Sequence, residues 1–580
     1  MPAYVAIVIA LFLWVTDAAL AAPLRYQLQV DAPEPLKGSL SRNLDLVRWE
    51  NYEAMTPELL DRLVVEAREQ ARQIIATEGY FEPKLDIEID EKQEPAVVKL
   101  SVEPGLPTRV TRVELALQGP VADDPIQREQ RLAPLVADWS LPEGAIFRQA
   151  DWTAAKERML KTFAANDYAA ATIASSKATI DPDARSAVLE VTLASGPAFR
   201  FGETQVTGLE LYRPEVVLNL NTIKPGEPYA QAELVQLQRR LSATGYFASV
   251  QTGIDTDPAK AAAAPVTIAV IEAPTRRLEV GVGYSTDTTY NLTFRYSDVN
   301  LNGNALQFVS NVLIAGNTQT GSVRFNLPPR AEGYLDSLSA NIDRSDIQNL
   351  VIHSAAAGVR RRTIDERDVH TYEVSVHYAD QEPLGADSSA AHALYLEYRR
   401  TLRRVDDVLS PTTGYMANLA LGGGIPGASS SGFGRAIAQF VYFHPLGTSN
   451  SLELRAEGGA VFVDNPFNVP ADLMFRTGGD TTVRGYAYLS LGVKDGQAVV
   501  GGKYYTVATA EFIHWVNATW GLAAFVDAGN ASNSLQTLDP AAGYGIGARI
   551  RTPIGPLRFD VAYGERTGGV RVHMSVGVTF

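Results

Sequence analysis

The sequence contains no cysteine and little positive charge. Without cysteine the chain has no disulfides, no thiolate metal ligands and no cysteine nucleophile. Its 51 Lys and Arg residues are outnumbered by 66 Asp and Glu, which gives a net charge of −15. Because nucleic-acid-binding proteins usually carry a basic patch, this balance argues against nucleic acid as a partner.

Sequence motifs of enzymes are also missing. There is no Gly-x-Ser-x-Gly elbow of a serine hydrolase and no glycine-rich phosphate loop ending in Gly-Lys. The seven histidines form no helical pair and no metal-ligand cluster. We therefore predict a non-enzymatic protein with no catalytic residue, no cofactor and no metal.

Long apolar runs are confined to the N-terminus. Residues 3–15 form one such run, and Ala19-Leu20-Ala21 follows as a small-x-small cleavage site. Since the run is short for a membrane-spanning helix, we interpret residues 1–21 as a secretory signal peptide cleaved near Ala21 or Ala22. An uncleaved anchor is the alternative, because no Lys or Arg precedes the run.

Apolar residues alternate with polar or small ones from Val570 to Phe580. A strand places alternate side chains on opposite faces, so one face is apolar. Similar segments recur back to about residue 276, which is typical of a transmembrane β-barrel. In 274–580 we count candidate strands starting near residues 276, 290, 304, 319, 335, 351, 368, 391, 413, 432, 449, 503, 519, 543, 555 and 569. Short turns are expected on one side, as at Asn302-Gly303 and Thr552–Gly555, with long loops on the other.

Residues 22–273 have a different pattern, in which helical periodicity is followed by short strands. Three units, 22–105, 106–197 and 198–273, each combine an extended segment, one or two helices and two strand-like runs. The helices are predicted at Met55–Thr77, Asp151–Ala165, Arg213–Leu220 and Ala230–Ala243. We predict three small α+β domains before the barrel.

Three motifs lie in and after the longest predicted connection, at about residues 464–502. The connection contains Gly478-Gly479-Asp480-Thr481-Thr482-Val483-Arg484-Gly485-Tyr486, and one strand later comes Phe525-Val526-Asp527-Ala528-Gly529. The third is Thr552-Pro553-Ile554-Gly555-Pro556-Leu557-Arg558-Phe559-Asp560. With the terminal aromatic residue, these segments resemble the superfamily of outer-membrane assembly factors and two-partner secretion transporters. The three N-terminal units resemble its POTRA domains (β-α-α-β-β). Three such domains before a sixteen-stranded barrel resemble the TamA family of translocation and assembly module subunits most.

The resemblance implies a location in the cell outer membrane, with the POTRA domains in the periplasm. It implies insertion or translocation of client outer-membrane proteins such as autotransporters, together with a TamB-like, inner-membrane-anchored periplasmic partner and contact with outer-membrane lipid. A two-partner secretion pore for a dedicated substrate is one alternative. A lipid-transport partner of a TamB-like protein is another. A diffusion porin would not explain the periplasmic units.

The resemblance further implies that Val483, Arg484, Gly485 and Tyr486 fold into the barrel lumen as the tip of the sixth extracellular loop. It makes Asp527 the proposed counter-charge of Arg484. The physical argument points the same way, because a desolvated arginine without a counter-charge is costly. The contact could be mobile during function or only a structural salt bridge.

The barrel is expected to close between its first and last strands. Glycine in a strand removes packing and weakens pairing. We therefore predict an imperfect seam that could open to a client strand. The residues proposed for this seam are Val280, Gly281, Gly283, Val576, Gly577 and Phe580.

Overall fold

The computed structural model describes residues 24–90, 92–285, 289–331, 333–365, 367–408, 410–552 and 557–576. The proposed signal peptide, the turn at residues 553–556, and the seam residues Gly577 and Phe580 lie outside these ranges. Among the helices described, none is both long and apolar enough to cross a membrane.

The described residues form two compact units. One comprises those up to Glu203 with Lys224–Ala232 and Ile254–Val266, and the other comprises Thr204–Ile223, Glu233–Gly253 and those from Thr267 onwards. The first two α+β modules belong to the first unit and the barrel strands to the second. The segments of the third module are divided between the units.

The first module is a three-stranded sheet with helices between its first and second strands. Its elements are β1 (Tyr26–Asp31), α1 (Leu36–Asn43), α2 (Asp45–Arg48), α3 (Pro57–Thr77), β2 (Lys84–Asp90) and β3 (Ala96–Glu103). The strand order is β1-β3-β2, with β1 parallel and β2 antiparallel to β3. Helix α3 begins where the Thr56 side chain accepts a hydrogen bond from the Leu59 N–H, and Pro57 occupies the first turn.

The second module repeats this arrangement, again with three helices. Its elements are β4 (Arg109–Gln118), α4 (Pro120–Asp123), α5 (Pro125–Ala137), α6 (Gln149–Ala164), β5 (Thr172–Asp181) and β6 (Ser186–Ala194), in the sheet order β4-β6-β5. The prediction contained α6 but omitted α5. That helix buries only Leu135 and has Pro134 in its interior, and a proline inside a segment argues against a helix there.

The third module has the same strand order. Its elements are β7 (Phe201–Thr207), α7 (Glu215–Leu218), α8 (Gln231–Ala243), β8 (Phe247–Ile254) and β9 (Ala264–Glu272), and its sheet runs β7-β9-β8. The prediction of three modules with the pattern β-α-α-β-β before a sixteen-stranded barrel is confirmed. The exact domain boundaries stay predictions.

The barrel consists of sixteen antiparallel strands that follow one another in chain order. Its strands are β10 (Arg276–Ser285), β11 (Thr289–Leu301), β12 (Leu306–Ala315), β13 (Thr318–Asn326), β14 (Tyr334–Ile347), β15 (Leu350–Thr363), β16 (Asp368–Pro383), β17 (Ser389–Val405), β18 (Gly414–Gly424), β19 (Phe433–Leu446), β20 (Asn450–Phe462), then, after the loop hairpin β21 (Val493–Asp495) and β22 (Ala498–Val500), β23 (Tyr504–Trp515), β24 (Trp520–Ser532), β25 (Ala541–Ile550), β26 (Leu557–Gly564) and β27 (Gly569–Val576). Each predicted start lies within about two residues of the observed one, because alternation with a period of two is a strong local signal.

The expected contrast between short turns and long loops is wrong for most of the barrel. On the loop side, the connections at 316–317 and 348–349 are tight, whereas 327–333 and 406–413 on the turn side are longer. The long connection is 463–503, between β20 and β23. The loop side therefore has one very long connection instead of several long ones.

Residues of the third module that belong to the second unit contact the barrel turns. The Tyr246 hydroxyl donates to the Ala305 carbonyl at 2.7 Å, and the Gln307 side-chain amide donates to the Thr244 carbonyl at 2.6 Å. Asn219 donates to the Pro329 carbonyl at 2.8 Å. The turns that follow β11 and β13 therefore lie on the side of the barrel next to this module.

Candidate functional site

The tip of loop 463–503 is buried against the inward face of the last five strands. Along β24 exposed Leu522 and Val526 alternate with buried Phe525 and Asp527, so Asp527 points inward. The Arg484 side chain is 4% exposed and that of Asp527 is 0% exposed. A charge buried this deeply requires paired partners.

Arg484 and Asp527 form a paired contact with three hydrogen bonds. The Arg484 Nε and Nη2 donate to the two Asp527 carboxylate oxygens at 2.7 and 2.9 Å. The Arg484 backbone N–H donates to the same carboxylate at 3.1 Å. The guanidinium carbon also lies 3.3 Å from the ring centroid of Phe525, which stacks beneath it. The loop is thus held by both its backbone and its charge.

Two further carboxylates share the Arg484 guanidinium, and the sequence analysis assigned neither of them a role. Its Nη1 lies 2.8 Å from Glu511 and 3.0 Å from Asp560. A second buried arginine, Arg549, bonds Glu511 at 2.6 and 2.7 Å and Asp560 at 2.6 Å. Two arginines and three carboxylates therefore form one network, which we call the lumen network. It joins the loop to strands β23, β24, β25 and β26.

Three alternate glycines on β25 make room for the loop tip. A Cβ at Gly543 would lie 1.9 Å from the Arg484 carbonyl oxygen, and one at Gly545 would lie 2.7 Å from the Phe525 ring. A Cβ at Gly547 would lie 1.9 Å from Asp560. A larger side chain at Gly543 or Gly547 would displace a member of the network, and one at Gly545 would displace the Phe525 ring that stacks on Arg484, so the glycines are part of the site.

Two other members of the Val483-Arg484-Gly485-Tyr486 tetrad, Gly485 and Tyr486, contact β25, β26, β27 and the turn between β26 and β27. Gly485 has a φ of +92°, and a Cβ there would lie 2.7 Å from Gly564. Its N–H donates to His573 Nε2 on β27 at 3.0 Å. The hydroxyl of buried Tyr486 donates to the Ala542 carbonyl at 2.8 Å and accepts from the Arg566 N–H at 3.0 Å. The loop tip therefore bonds directly to the last strand of the barrel.

Val483 completes the apolar part of this contact. It is fully buried and packs in a small cluster with Tyr486, Leu491 and Ala541. A Cβ on Gly529 of β24 would lie 2.9 Å from it. Val483 thus fits a position where the strand has no side chain.

The rest of the loop is tied to the opposite wall. The Gln497 N–H donates to the Leu384 carbonyl at 2.8 Å, and the Val499 N–H donates to the Gln348 carbonyl at 3.1 Å. Nearer its start, the Asp472 carboxylate accepts a hydrogen bond from His377 Nδ1 at 2.7 Å. The loop therefore spans the lumen between two groups of strands.

The proposed seam strands lie at the two ends of the sheet order. β10 is paired with β11 along its length, and β27 is paired with β26. In the ranges given above, no backbone register joins β10 to β27. Val280 is 59% exposed, and Val576 is the last described residue of β27. Gly281 and Gly283 both lie within β10, and their role in a seam stays a prediction.

Sequence reasoning brought together Arg484 and Asp527 but missed Glu511, Arg549, Asp560 and His573. Each is a single polar residue on the inward face of a strand, like many others in the barrel. The regular spacing of Gly543, Gly545 and Gly547 was a usable signal, since three alternate glycines leave one face of a strand bare.

The chain matches known families over the barrel and the third module. Residues 273–580 match the Omp85 superfamily domain, and residues 199–273 match the POTRA family described as surface antigen variable number repeat. The outer membrane protein assembly factor BamA of Nitratidesulfovibrio vulgaris is 26% identical over 408 residues, which cover 65% of this chain and 50% of that protein. BamA of Neisseria meningitidis is 23% identical over 563 residues, 84% of this chain and 68% of that one. The chain thus spans from half to about two thirds of the length of these relatives.

Among solved structures, the fold is similar to BamA from Haemophilus ducreyi lacking POTRA domains 1–3. The TM-score is 0.55 at 15% sequence identity, and the match covers 81% of this chain and 100% of that one. At this identity the likeness extends to the fold alone.

Proposed function

The chain belongs to the Omp85 superfamily, and from this premise we propose that it is the outer-membrane subunit of a translocation and assembly module. It lies in the outer membrane with its POTRA domains in the periplasm. In this proposal it inserts or translocates client outer-membrane proteins, autotransporters among them, through a barrel seam controlled by the loop tip.

One observation carries the proposal: the loop tip is bonded to β27. Arg484 is held by Asp527, Glu511 and Asp560, and the adjacent Gly485 N–H bonds His573 on β27. A network on β23 to β26 therefore restrains the terminal strand through the tetrad. Movement of the loop would free one edge of the sheet, whose unpaired backbone groups could bond a client strand.

The seam itself supports the same role. In this proposal the seam comprises Val280, Gly281 and Gly283 on β10 and Val576 on β27, together with Gly577 and Phe580, which lie outside the described residues. Glycines on β10 weaken pairing by removing cross-strand side-chain contacts. A seam of this kind opens at lower cost than the continuous ladders elsewhere in the barrel, such as that of β16 and β17, which pair from Asp368–Leu402 to Gln381–Ser389.

The POTRA domains supply the periplasmic side of the proposal. Their edge strands offer backbone hydrogen bonds to an added strand. Since the third module contacts the barrel turns, we place a TamB-like partner at the first module, farther along the chain from the membrane. The second POTRA domain would connect the first module to the third.

Reconstitution tests this proposal against its two alternatives. Purified protein in liposomes should accelerate the folding of a denatured outer-membrane protein into a heat-modifiable, protease-resistant form, relative to empty liposomes. Transfer of a fluorescent phospholipid between liposomes should be unchanged. Accelerated lipid transfer without client folding would favour the lipid-transport alternative. Transport of one cognate substrate across the liposome membrane, without insertion into it, would favour the secretion pore.

A further inference from the structure

The outward face of β14 to β18 carries a groove of ≈ 910 Å³, away from the lumen network. One wall of the groove is a row of directly paired residues, one from each strand. The members of this apolar row, in order of pairing, are Leu338, Val359, Val374, Leu396 and Gly423. The four side chains are between 41% and 50% exposed, so the row faces outward.

Small residues give the apolar row its depth. The next paired positions on β14 and β15 are Ala340 and Ala357. At the far end, a Cβ on Gly423 would lie 2.3 Å from the Phe433 carbonyl oxygen, so this position accepts no side chain. The valines and leucines of the row therefore lie between a shallow strip and a gap, and the surface is concave there.

A second row, two residues nearer the turn side, is polar and aromatic. Its members pair in the same order and are Asp336, Arg361, Tyr372, Tyr398 and Leu421. Arg361 donates to both Asp336 oxygens at 2.7 and 2.9 Å. Arg330 lies 3.2 Å from the same carboxylate. Two guanidinium groups thus lie beside one carboxylate at this end of the groove.

The charged end of the groove lies at the periplasmic surface of the membrane. Asp336 is close to the first residue of β14 and Arg361 close to the last of β15, next to the connection 327–333. In that connection the Pro329 carbonyl accepts a hydrogen bond from Asn219 of the third module. Since strands of such barrels are tilted, the paired rows climb from this edge towards the middle of the membrane at β18.

We propose that this groove binds one phospholipid of the inner leaflet. Its phosphate lies at Arg330 and Arg361, because guanidinium groups donate to phosphate in a planar, charge-assisted geometry. One acyl chain lies along Val359, Val374 and Leu396. Tyr372 lies nearest the boundary between head group and chain, where tyrosines are enriched in membrane proteins, and Tyr398 flanks the acyl chain. The proposal rests on the location in the outer membrane and not on the assembly function.

Native mass spectrometry of the delipidated full chain in detergent tests the proposal. Phosphatidylethanolamine or phosphatidylglycerol is titrated in, and inorganic phosphate is added in a separate arm. The wild type should bind one phospholipid more tightly than any further copies. Arg361→Gln should weaken the binding of the first phospholipid about tenfold, because the loss of a hydrogen bond to a charged group typically lowers affinity by at least that factor. Val374→Trp should abolish it by filling the apolar row.

Val526→Trp is the matched control, because Val526 is an outward valine on β24, 54% exposed against 44% for Val374. It should bind like the wild type, and heat-modifiability should show that each variant is folded. Equal losses in Val374→Trp and Val526→Trp, or none in Val374→Trp, would overturn the proposal. Full displacement of the lipid by inorganic phosphate would also overturn it, since the groove would then recognise only a free anion. Should Arg361→Gln not fold, the comparison of the two tryptophan variants decides.

Discussion

Removal of the Arg484 side chain should destabilise the barrel more than removal of its main partner. In the described part of the chain, all three hydrogen bonds of Asp527 come from Arg484. Glu511 and Asp560 also bond Arg549, so they keep a partner. Arg484→Ala therefore leaves one buried carboxylate without a partner, at a cost of roughly 3–5 kcal/mol.

Asp527→Ala should cost less, because Arg484 keeps Glu511 and Asp560. The loss of its charge-assisted hydrogen bonds is worth about 1.5–3 kcal/mol. In the double variant Arg484→Ala/Asp527→Ala the uncompensated carboxylate is gone. The double variant should therefore be more stable than Arg484→Ala alone, which requires a coupling energy larger than the cost of Asp527→Ala, that is, more than about 1.5–3 kcal/mol.

Denaturant unfolding of the four proteins in one detergent measures this cycle, and limited proteolysis of loop 463–503 reports where the change lies. Arg484→Ala should make the loop the first cleavage site. Additive effects of the two substitutions would refute the reasoning, as would an Arg484→Ala barrel as stable as the wild type.

Three further outcomes follow from the structure. Gly543→Ala should expel the loop tip and make loop 463–503 sensitive to protease, since the new Cβ would lie 1.9 Å from the Arg484 carbonyl oxygen. The control Gly458→Ala should leave the loop protected, because the nearest neighbour of its Cβ is 3.8 Å away. Equal protease sensitivity of the two variants would contradict the role of the β25 glycines. Tyr246→Phe removes the 2.7 Å hydrogen bond to the Ala305 carbonyl and should lower the unfolding free energy by about 1–3 kcal/mol, because that carbonyl is left buried; no change in the unfolding midpoint would show that water replaces the bond. Deletion of residues 24–104 should leave a heat-modifiable barrel that no longer co-purifies with a TamB-like partner, and co-purification at the wild-type yield would move that contact to another part of the chain.

The sequence predicted the positions of the strands better than the charged residues of the lumen network. Alternation has a period of two and is repeated sixteen times, so each strand start could be read to within about two residues. Helix α5 was missed because it buries one leucine fully and contains Pro134. The length of the loops could not be derived, since no periodicity constrains a connection.

Within the site, Arg484 and Asp527 were found through their motifs. The roles of Glu511 and Asp560 could not be predicted, because nothing in the sequence indicates which side chain an inward carboxylate on a strand will pair with. Their selection depends on the stagger of four strands around one guanidinium, which is a property of the closed sheet. The groove on β14 to β18 was missed for the same reason, since its rows exist only after five strands are in register.

Site-specific photo-crosslinking during client insertion tests the central claim most directly. A photoreactive residue at Val282 on β10, which is 86% exposed, would probe the seam. One at Val526 on β24 would probe an outward position in the continuous part of the sheet. If clients enter through the seam, adducts with an inserting client should form at Val282 and not at Val526, and should disappear once folding is complete. Efficient client insertion with equal adducts at both positions, or with none at Val282, would contradict the account.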